Sequence, residues 1–124
     1  MKRVKRISVI LSLTLLIFIA GCSRTVEKEY YPNGQLKSVL NYKKGKLEGI
    51  ALYYYENGTL KERVNYRRGK RERTGTTYYE SGALKEKITY VNGKKEHVLL
   101  YSEDGKLISE SVYKDGKLVE EKKK

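Results

Sequence analysis

Asn57-Gly58-Thr59-Leu60-Lys61-Glu62-Arg63-Val64-Asn65-Tyr66-Arg67-Arg68-Gly69-Lys70 is the stretch that decides the fold. Between its two glycines the residues alternate. Leu60, Glu62, Val64 and Tyr66 fall on one side, and Lys61, Arg63 and Asn65 on the other. Period-two alternation is the signature of a strand with unlike faces, whereas a helix would scatter these apolar residues around its axis. Asn-Gly at the start favours the positive φ angles of a tight hairpin turn. The stretch is one arm of a β-hairpin.

Working outward, the same pattern recurs along the chain. Asn33-Gly34, Asn57-Gly58, Ser81-Gly82 and Asp104-Gly105 place their glycines 24, 24 and 23 residues apart. A second series, Gly45, Gly69, Gly93 and Gly116, keeps the same spacings, and Lys follows each one. Leu36, Leu60, Leu84 and Leu107 lie two residues past the first glycine of their unit, and Tyr42, Tyr66, Tyr90 and Tyr113 lie eight past it. In the first unit the alternating face is Leu36, Ser38, Leu40 and Tyr42; in the third it is Leu84, Glu86, Ile88 and Tyr90. Each unit of about 24 residues is therefore one hairpin with two strands and two turns.

Hairpins stacked head to tail predict an all-β protein: an extended antiparallel meander of about eight strands in a single twisted sheet. Equivalent residues of successive units then recur every ~10 Å across the sheet. Twelve tyrosines against one Phe and no Trp point to an aromatic face that still meets water. Aromatic cross-strand pairs contribute roughly 0.2–1 kcal/mol each, and stability comes mainly from neighbouring repeats, as in a one-dimensional array. The expected units are about 30–53, 54–77, 78–100 and 101–118, with residues 22–29 a tether and 119–124 a frayed, charged tail.

Tyr31-Pro32-Asn33-Gly34-Gln35-Leu36-Lys37, followed by Tyr42-Lys43-Lys44-Gly45-Lys46-Leu47-Glu48-Gly49 and Tyr54-Tyr55, resembles the MORN-variant repeat. The resemblance spans about residues 30–118. It implies an extended, twisted array of β-hairpins that serves as a binding or scaffolding module, and many bacterial members carry the label of a YwqK-type antitoxin. Gly49 keeps the repeat's third glycine, but Arg73 and His97 stand at the equivalent places. Those places therefore do not demand a glycine-only backbone. The fourth unit changes its loop lengths and reads as an imperfect, capping repeat.

The N-terminus carries a separate message. Lys2, Arg3, Lys5 and Arg6 precede an apolar run, Ile7 to Ala20 (ISVILSLTLLIFIA). A permanent membrane helix needs roughly 20 apolar residues and a signal h-region about 7–15, so the run fits an N-terminal signal helix over residues 1–21. Ile19-Ala20-Gly21-Cys22 resembles the bacterial lipobox. That resemblance implies cleavage between Gly21 and Cys22 and lipidation of the Cys22 thiol. The alternative is an uncleaved anchor with a free Cys22; either attaches the chain to a membrane. Two or three acyl chains, at ~0.8 kcal/mol per buried CH2, hold far better than one. Ser23 lacks the aspartate of an inner-membrane retention signal, so an outer-membrane site is expected where the host has that membrane. In a host with one membrane, the expected place is its outer leaflet, facing away from the cytoplasm.

Cys22 is the only cysteine, which excludes a disulfide framework. The 103 residues from Cys22 onward carry 23 Lys and Arg against 15 Asp and Glu. On an exported domain such an excess faces anionic headgroups, wall polymers or an acidic protein rather than nucleic acid, or it keeps the sheet soluble and its edges unpaired.

Catalytic chemistry finds little footing. His97 is the sole histidine and replaces a repeat glycine. Ser102, Glu103 and Asp104 lie near it in sequence but belong to a turn, and proximity of this kind is not a triad. The spacings fit no metal site, and no cofactor is implied. The Gly-Lys steps lack the Ser or Thr and the helix of a phosphate loop. Tyr53, Tyr54, Tyr55, Tyr78 and Tyr79 form the candidate binding surface. Alternation places Tyr54 opposite Tyr53 and Tyr55, so both faces offer an aromatic ring. The expectation is a non-catalytic, lipid-anchored envelope module that binds a protein or polymer. The alternative is an antitoxin or immunity-type protein, which export makes compatible only with a toxin acting in the envelope.

Overall fold

The computed structural model describes residues 24–124; the expected signal helix, Gly21 and Cys22 lie outside the described residues. Eleven strands run in chain order: β1 (Arg24–Tyr30), β2 (Leu36–Lys43), β3 (Lys46–Leu47), β4 (Gly49–Tyr54), β5 (Leu60–Arg67), β6 (Lys70–Arg71), β7 (Arg73–Tyr78), β8 (Leu84–Val91), β9 (Lys94–Tyr101), β10 (Leu107–Lys114) and β11 (Lys117–Lys123). Together they form one open antiparallel sheet ordered β1-β2-β4-β5-β7-β8-β9-β10-β11, with β3 on β2 and β6 on β5. Among the described residues there is no helix. The meander read from the sequence is present, and it is longer than eight strands.

Two stretches that the sequence suggested as loose chain are strands. Residues 24–29 are a strand, not a tether: Arg24 pairs with Lys43 and Glu29 with Ser38. The tail is not frayed either, because Ser109 pairs with Lys123 and Val112 with Glu120. Without them β2 and β10 would present bare backbone donors and acceptors along both sides of the sheet. The alternating charges of Glu27-Lys28-Glu29 and Glu121-Lys122-Lys123 then discourage pairing with another chain.

The two glycine series make different turns. At Gly45, Gly69, Gly93 and Gly116 the preceding residue is also left-handed: Lys44 has φ 51°, Arg68 50°, Asn92 50° and Asp115 52°. Positive φ at both central residues defines two-residue type I′ turns, whose twist matches that of the strands. At the first series only the glycine has positive φ, Gly58 for example at 86°. There Gly58 N–H donates to the Tyr55 carbonyl (3.0 Å) and Tyr55 N–H to the Thr59 carbonyl (2.8 Å), closing a three-residue loop. In the first two units the Asn-Gly pair thus sits in the wider turn and Lys44-Gly45 or Arg68-Gly69 in the tighter one, the reverse of what residue preference suggests, whereas Asn92-Gly93 and Asp115-Gly116 follow that preference.

Bulges split β3 from β4 and β6 from β7 at Glu48 and Glu72, whose N–H groups donate to the Asn41 and Asn65 carbonyls at 2.8 and 2.9 Å. The next residue is left-handed in both units, Gly49 at 97° and Arg73 at 62°. Arg73 reaches the left-handed helical well that any side chain can occupy at a cost, so the repeat keeps the bend without its glycine. His97 stands at that place in the third unit and is not left-handed; there the bulge persists only as a register shift between Thr89 and Tyr90.

The core is a strip along one face. Ala51, Val64, Ile88, Tyr90 and Val98 are buried, with Leu40, Tyr53, Tyr66 and Tyr113 packed against them. Val64 is 0% exposed although, among the described residues, the sheet has no second layer. The tyrosine rings supply the cover, at a position visible at Gly75. A Cβ there would meet Tyr90 Cε2 at 3.0 Å and Val64 Cγ2 at 3.6 Å, so the Tyr90 ring lies across the bare backbone of β7. Ala51 takes the corresponding place one unit earlier and is 1% exposed.

Candidate functional site

The five candidate tyrosines fall into three settings. Tyr55 and Tyr79 belong, with Tyr31, to a ladder along the three-residue loops. Tyr31 Oη donates to the Tyr54 carbonyl (2.7 Å), Tyr55 Oη to the Tyr78 carbonyl (2.7 Å) and Tyr79 Oη to the Tyr101 carbonyl (2.9 Å). Lys37, Lys61 and Lys85 sit over these rings, 5.9, 5.3 and 5.4 Å from their centroids. Such cation–π contacts at exposed sites contribute about 0.5–1 kcal/mol. The ladder links each unit to the next. Tyr54 and Tyr78 supply carbonyls to it, and Tyr78 Oη also accepts from Thr76 Oγ1 (3.2 Å).

Tyr53 is separate. It opposes Glu62 in the register and joins the core face. Burial, then its hydrogen-bonded neighbour Tyr66 and the charge of Glu62, push its hydroxyl up to about 12. Beside it lies a polar cluster that single-sequence alternation does not disclose, because Arg71 follows a turn and comes from the next short strand. Arg71 Nη1 lies 3.0 Å from Glu62 Oε1 and donates to Tyr90 Oη at 2.9 Å, while Arg71 Nε donates to Tyr66 Oη at 3.3 Å. Burial alone would favour the neutral guanidine, but Tyr66, Tyr90 and Glu62 outweigh it and hold Arg71 charged. Burial also raises Tyr90 and, with Glu27 adding to it, Tyr42. Half-buried Tyr53, Tyr66, Arg71 and Glu62, seated on the buried Tyr90, form an aromatic and charged platform on one face.

His97 Nε2 lies 2.7 Å from Glu110 Oε1. The hydrogen bond from His97, with Lys122 and Lys124 nearby, holds Glu110 below the usual carboxylate range. Ser102 Oγ donates to Asp104 and Lys106 N–H to Ser102 Oγ (3.1 Å), which closes the fourth turn. Asp104 is lowered by Lys106 first and Ser102 second. These three residues do turn work, and His97 is bonded elsewhere.

The type I′ turns line up along the other edge of the sheet. Gly69 N–H donates to the Leu47 carbonyl (2.8 Å), Gly93 N–H to the Arg71 carbonyl (3.0 Å) and Arg68 N–H to Glu48 Oε2 (2.7 Å). Shallow hollows open there, one lined by Arg67, Arg68, Lys70, Arg71, Glu72 and Asn92.

The sequence profile of the MORN repeat variant matches residues 25–44, 47–68, 74–92 and 97–115, one segment per hairpin. The chain belongs to the MORN repeat variant family. The profile enters at residue 25, inside β1, in agreement with the pairing of that strand. No curated protein matches the chain. Among solved structures, the "Glycosylation Associate Protein (Gap123) complex from Streptococcus agalactiae" is similar at 20% identity with a TM-score of 0.47, over 75% of this MORN-variant chain and 18% of that chain.

Proposed function

We propose that this MORN-variant protein is a non-catalytic, lipid-anchored module of the bacterial cell envelope that binds a protein or polymer through its sheet. The observation that carries the reading is the platform of Tyr53, Tyr66, Tyr90, Arg71 and Glu62. Ring faces and fixed hydrogen-bonding groups alternate there along one open face, as extended ligands require. Attachment through an acylated Cys22 is supported by the basic-then-apolar leader and Ile19-Ala20-Gly21-Cys22.

Fatty-acid labelling of growing cells marks the wild-type chain and spares Cys22→Ala; label on both rejects the anchor. A photo-crosslinking residue in place of Tyr53 captures a protein or envelope polymer in intact cells, and capture of lipid alone rejects the binding reading. The antitoxin reading ranks second because the leader exports the chain. Loss of viability on deleting the gene, with its neighbours intact, would move it to first.

A further inference from the structure

The two turn edges of the sheet differ sharply in charge. Residues 43–46, 67–71, 92–95 and 114–117, on the type I′ edge, hold eleven Lys and Arg and one carboxylate, Asp115. The loops of the other edge, residues 31–35, 55–59, 79–83 and 102–106, hold four carboxylates and one Lys, and Lys37, Lys61 and Lys85 over the loop tyrosines bring that edge near neutrality. Lys122 and Lys124 end beyond the acidic side at one corner, where Lys122 pairs with Glu120 and both lie near Glu110. Within the basic edge one charge is turned inward, Arg71, which serves the platform. Others stand in water, with Arg67 63% and Lys94 59% exposed at the side chain. Because equivalent residues recur every ~10 Å across a sheet, they form a basic row that follows the twist of the sheet.

The chain enters the fold at that same edge. Arg24 pairs with Lys43, and β1 runs from there toward the acidic loops, where Tyr30 meets Leu36. Cys22 precedes Arg24 by two residues, which reach at most ~7 Å. An anchor upstream of Arg24 therefore brings the first basic turn, at the β1–β2 end of the row, to the bilayer, while the nearest acidic loops stand about eight residues of strand away, ~25 Å. At physiological salt that distance is about three Debye lengths.

We propose that the basic turn edge is the membrane-facing foot of the protein. It rests on anionic lipid headgroups and holds the sheet upright, with the tyrosine ladder and acidic loops turned outward. Each Lys or Arg near an anionic leaflet is attracted to it, and the stacked turns present theirs on rigid backbone. This orientation rests on the membrane attachment proposed above, and it holds for an acylated Cys22 or an uncleaved leader alike.

The test uses the full chain purified from membranes and returned to phosphatidylcholine vesicles with or without phosphatidylglycerol. A fluorophore is attached at Lys94→Cys on the basic edge or Glu80→Cys on the acidic edge, and headgroup-attached quenchers report proximity to the bilayer. The expected result is several-fold stronger quenching at Lys94→Cys than at Glu80→Cys with phosphatidylglycerol. High salt, or the triple substitution Arg67→Glu, Arg68→Glu, Lys70→Glu, erases the difference, and circular dichroism verifies that this variant keeps its sheet. Equal quenching at both edges of a vesicle-bound protein overturns the foot and leaves the anchor standing. A protein that stays out of the vesicle fraction overturns both. A difference that survives the triple substitution also overturns the foot, because charge would then not set the orientation.

Discussion

The loop edge and the type I′ edge are built from the same repeat and solve opposite problems. On the loop edge, side chains join one turn to the next. Asn33 and Asn57 donate to the Glu56 and Glu80 carbonyls at 3.0 and 3.3 Å, and the tyrosine ladder runs beneath them. On the type I′ edge, backbone groups join the first three turns, through Gly69 to Leu47 and Gly93 to Arg71, with Glu48 accepting from Arg68 N–H and Lys94 beside Asp115 as the side-chain links. Side chains are then free to vary, and Lys44 and Arg68 stand on left-handed backbone where the later turns have Asn92 and Asp115. Where the backbone holds the stack, the side chains are available for a partner; where the side chains hold it, they are not.

The buried strip between the edges sets the scale against which this contrast is measured. Gly75→Val forces Tyr90 off the strip and lowers stability by about 2–3 kcal/mol, read as a shift in the urea midpoint. Gly75→Ala costs less, since Ala51 occupies the corresponding place. A negligible loss from Gly75→Val would mean that the Tyr90 ring does not cover β7.

Two substitutions to glycine then separate the edges by sign. Asn57→Gly removes the bond to Glu80 and the one its Oδ1 accepts from Thr59 N–H (2.9 Å), so the melting temperature falls with a loss of about 1 kcal/mol. Arg68→Gly relieves a left-handed arginine and raises stability by about 0.5 kcal/mol net of the added chain entropy. Equal signs in thermal melts would erase the distinction between the two turn types.

Tyr55→Phe deletes a ladder hydrogen bond and costs about 1 kcal/mol. Amide exchange quickens around Tyr78 and Thr59 more than at the type I′ turns, which sharpens the assignment of the ladder to one edge.

The last effect is a dependence on alkaline pH. Tyr42, Tyr53 and Tyr90 are raised above their ordinary 10.0, Tyr53 to about 12. The fold favours their neutral form, so this contribution is complete below pH 10 and is lost as pH rises toward 12. Urea midpoints measured across that range fall, and Tyr53→Phe falls less steeply. A flat profile would place these hydroxyls in water.

Much of this was legible in the chain. Period-two alternation around Val64, the paired glycine series and the recurring Tyr positions fix strand faces and hairpin count, because a strand's faces follow from neighbours in sequence. The candidate tyrosines were less legible. Tyr55 and Tyr53 are two residues apart, yet one donates to a carbonyl 23 residues on and the other joins a platform with Arg71. Those partners come from other units, and no local pattern names them. Strands β1 and β11 were missed for a related reason, since their charged alternation looks like loose chain until a neighbouring edge needs pairing.

The sequence by itself determined the repeat, the alternation of faces and the sign of charge at each turn, all properties of residues within one unit. Tertiary structure decided which turn is tight, which tyrosines are bonded to the next unit, and that the basic turns share an edge with the entry of the chain. Those depend on register between strands, where stacking brings together groups that lie about one repeat or more apart in the chain.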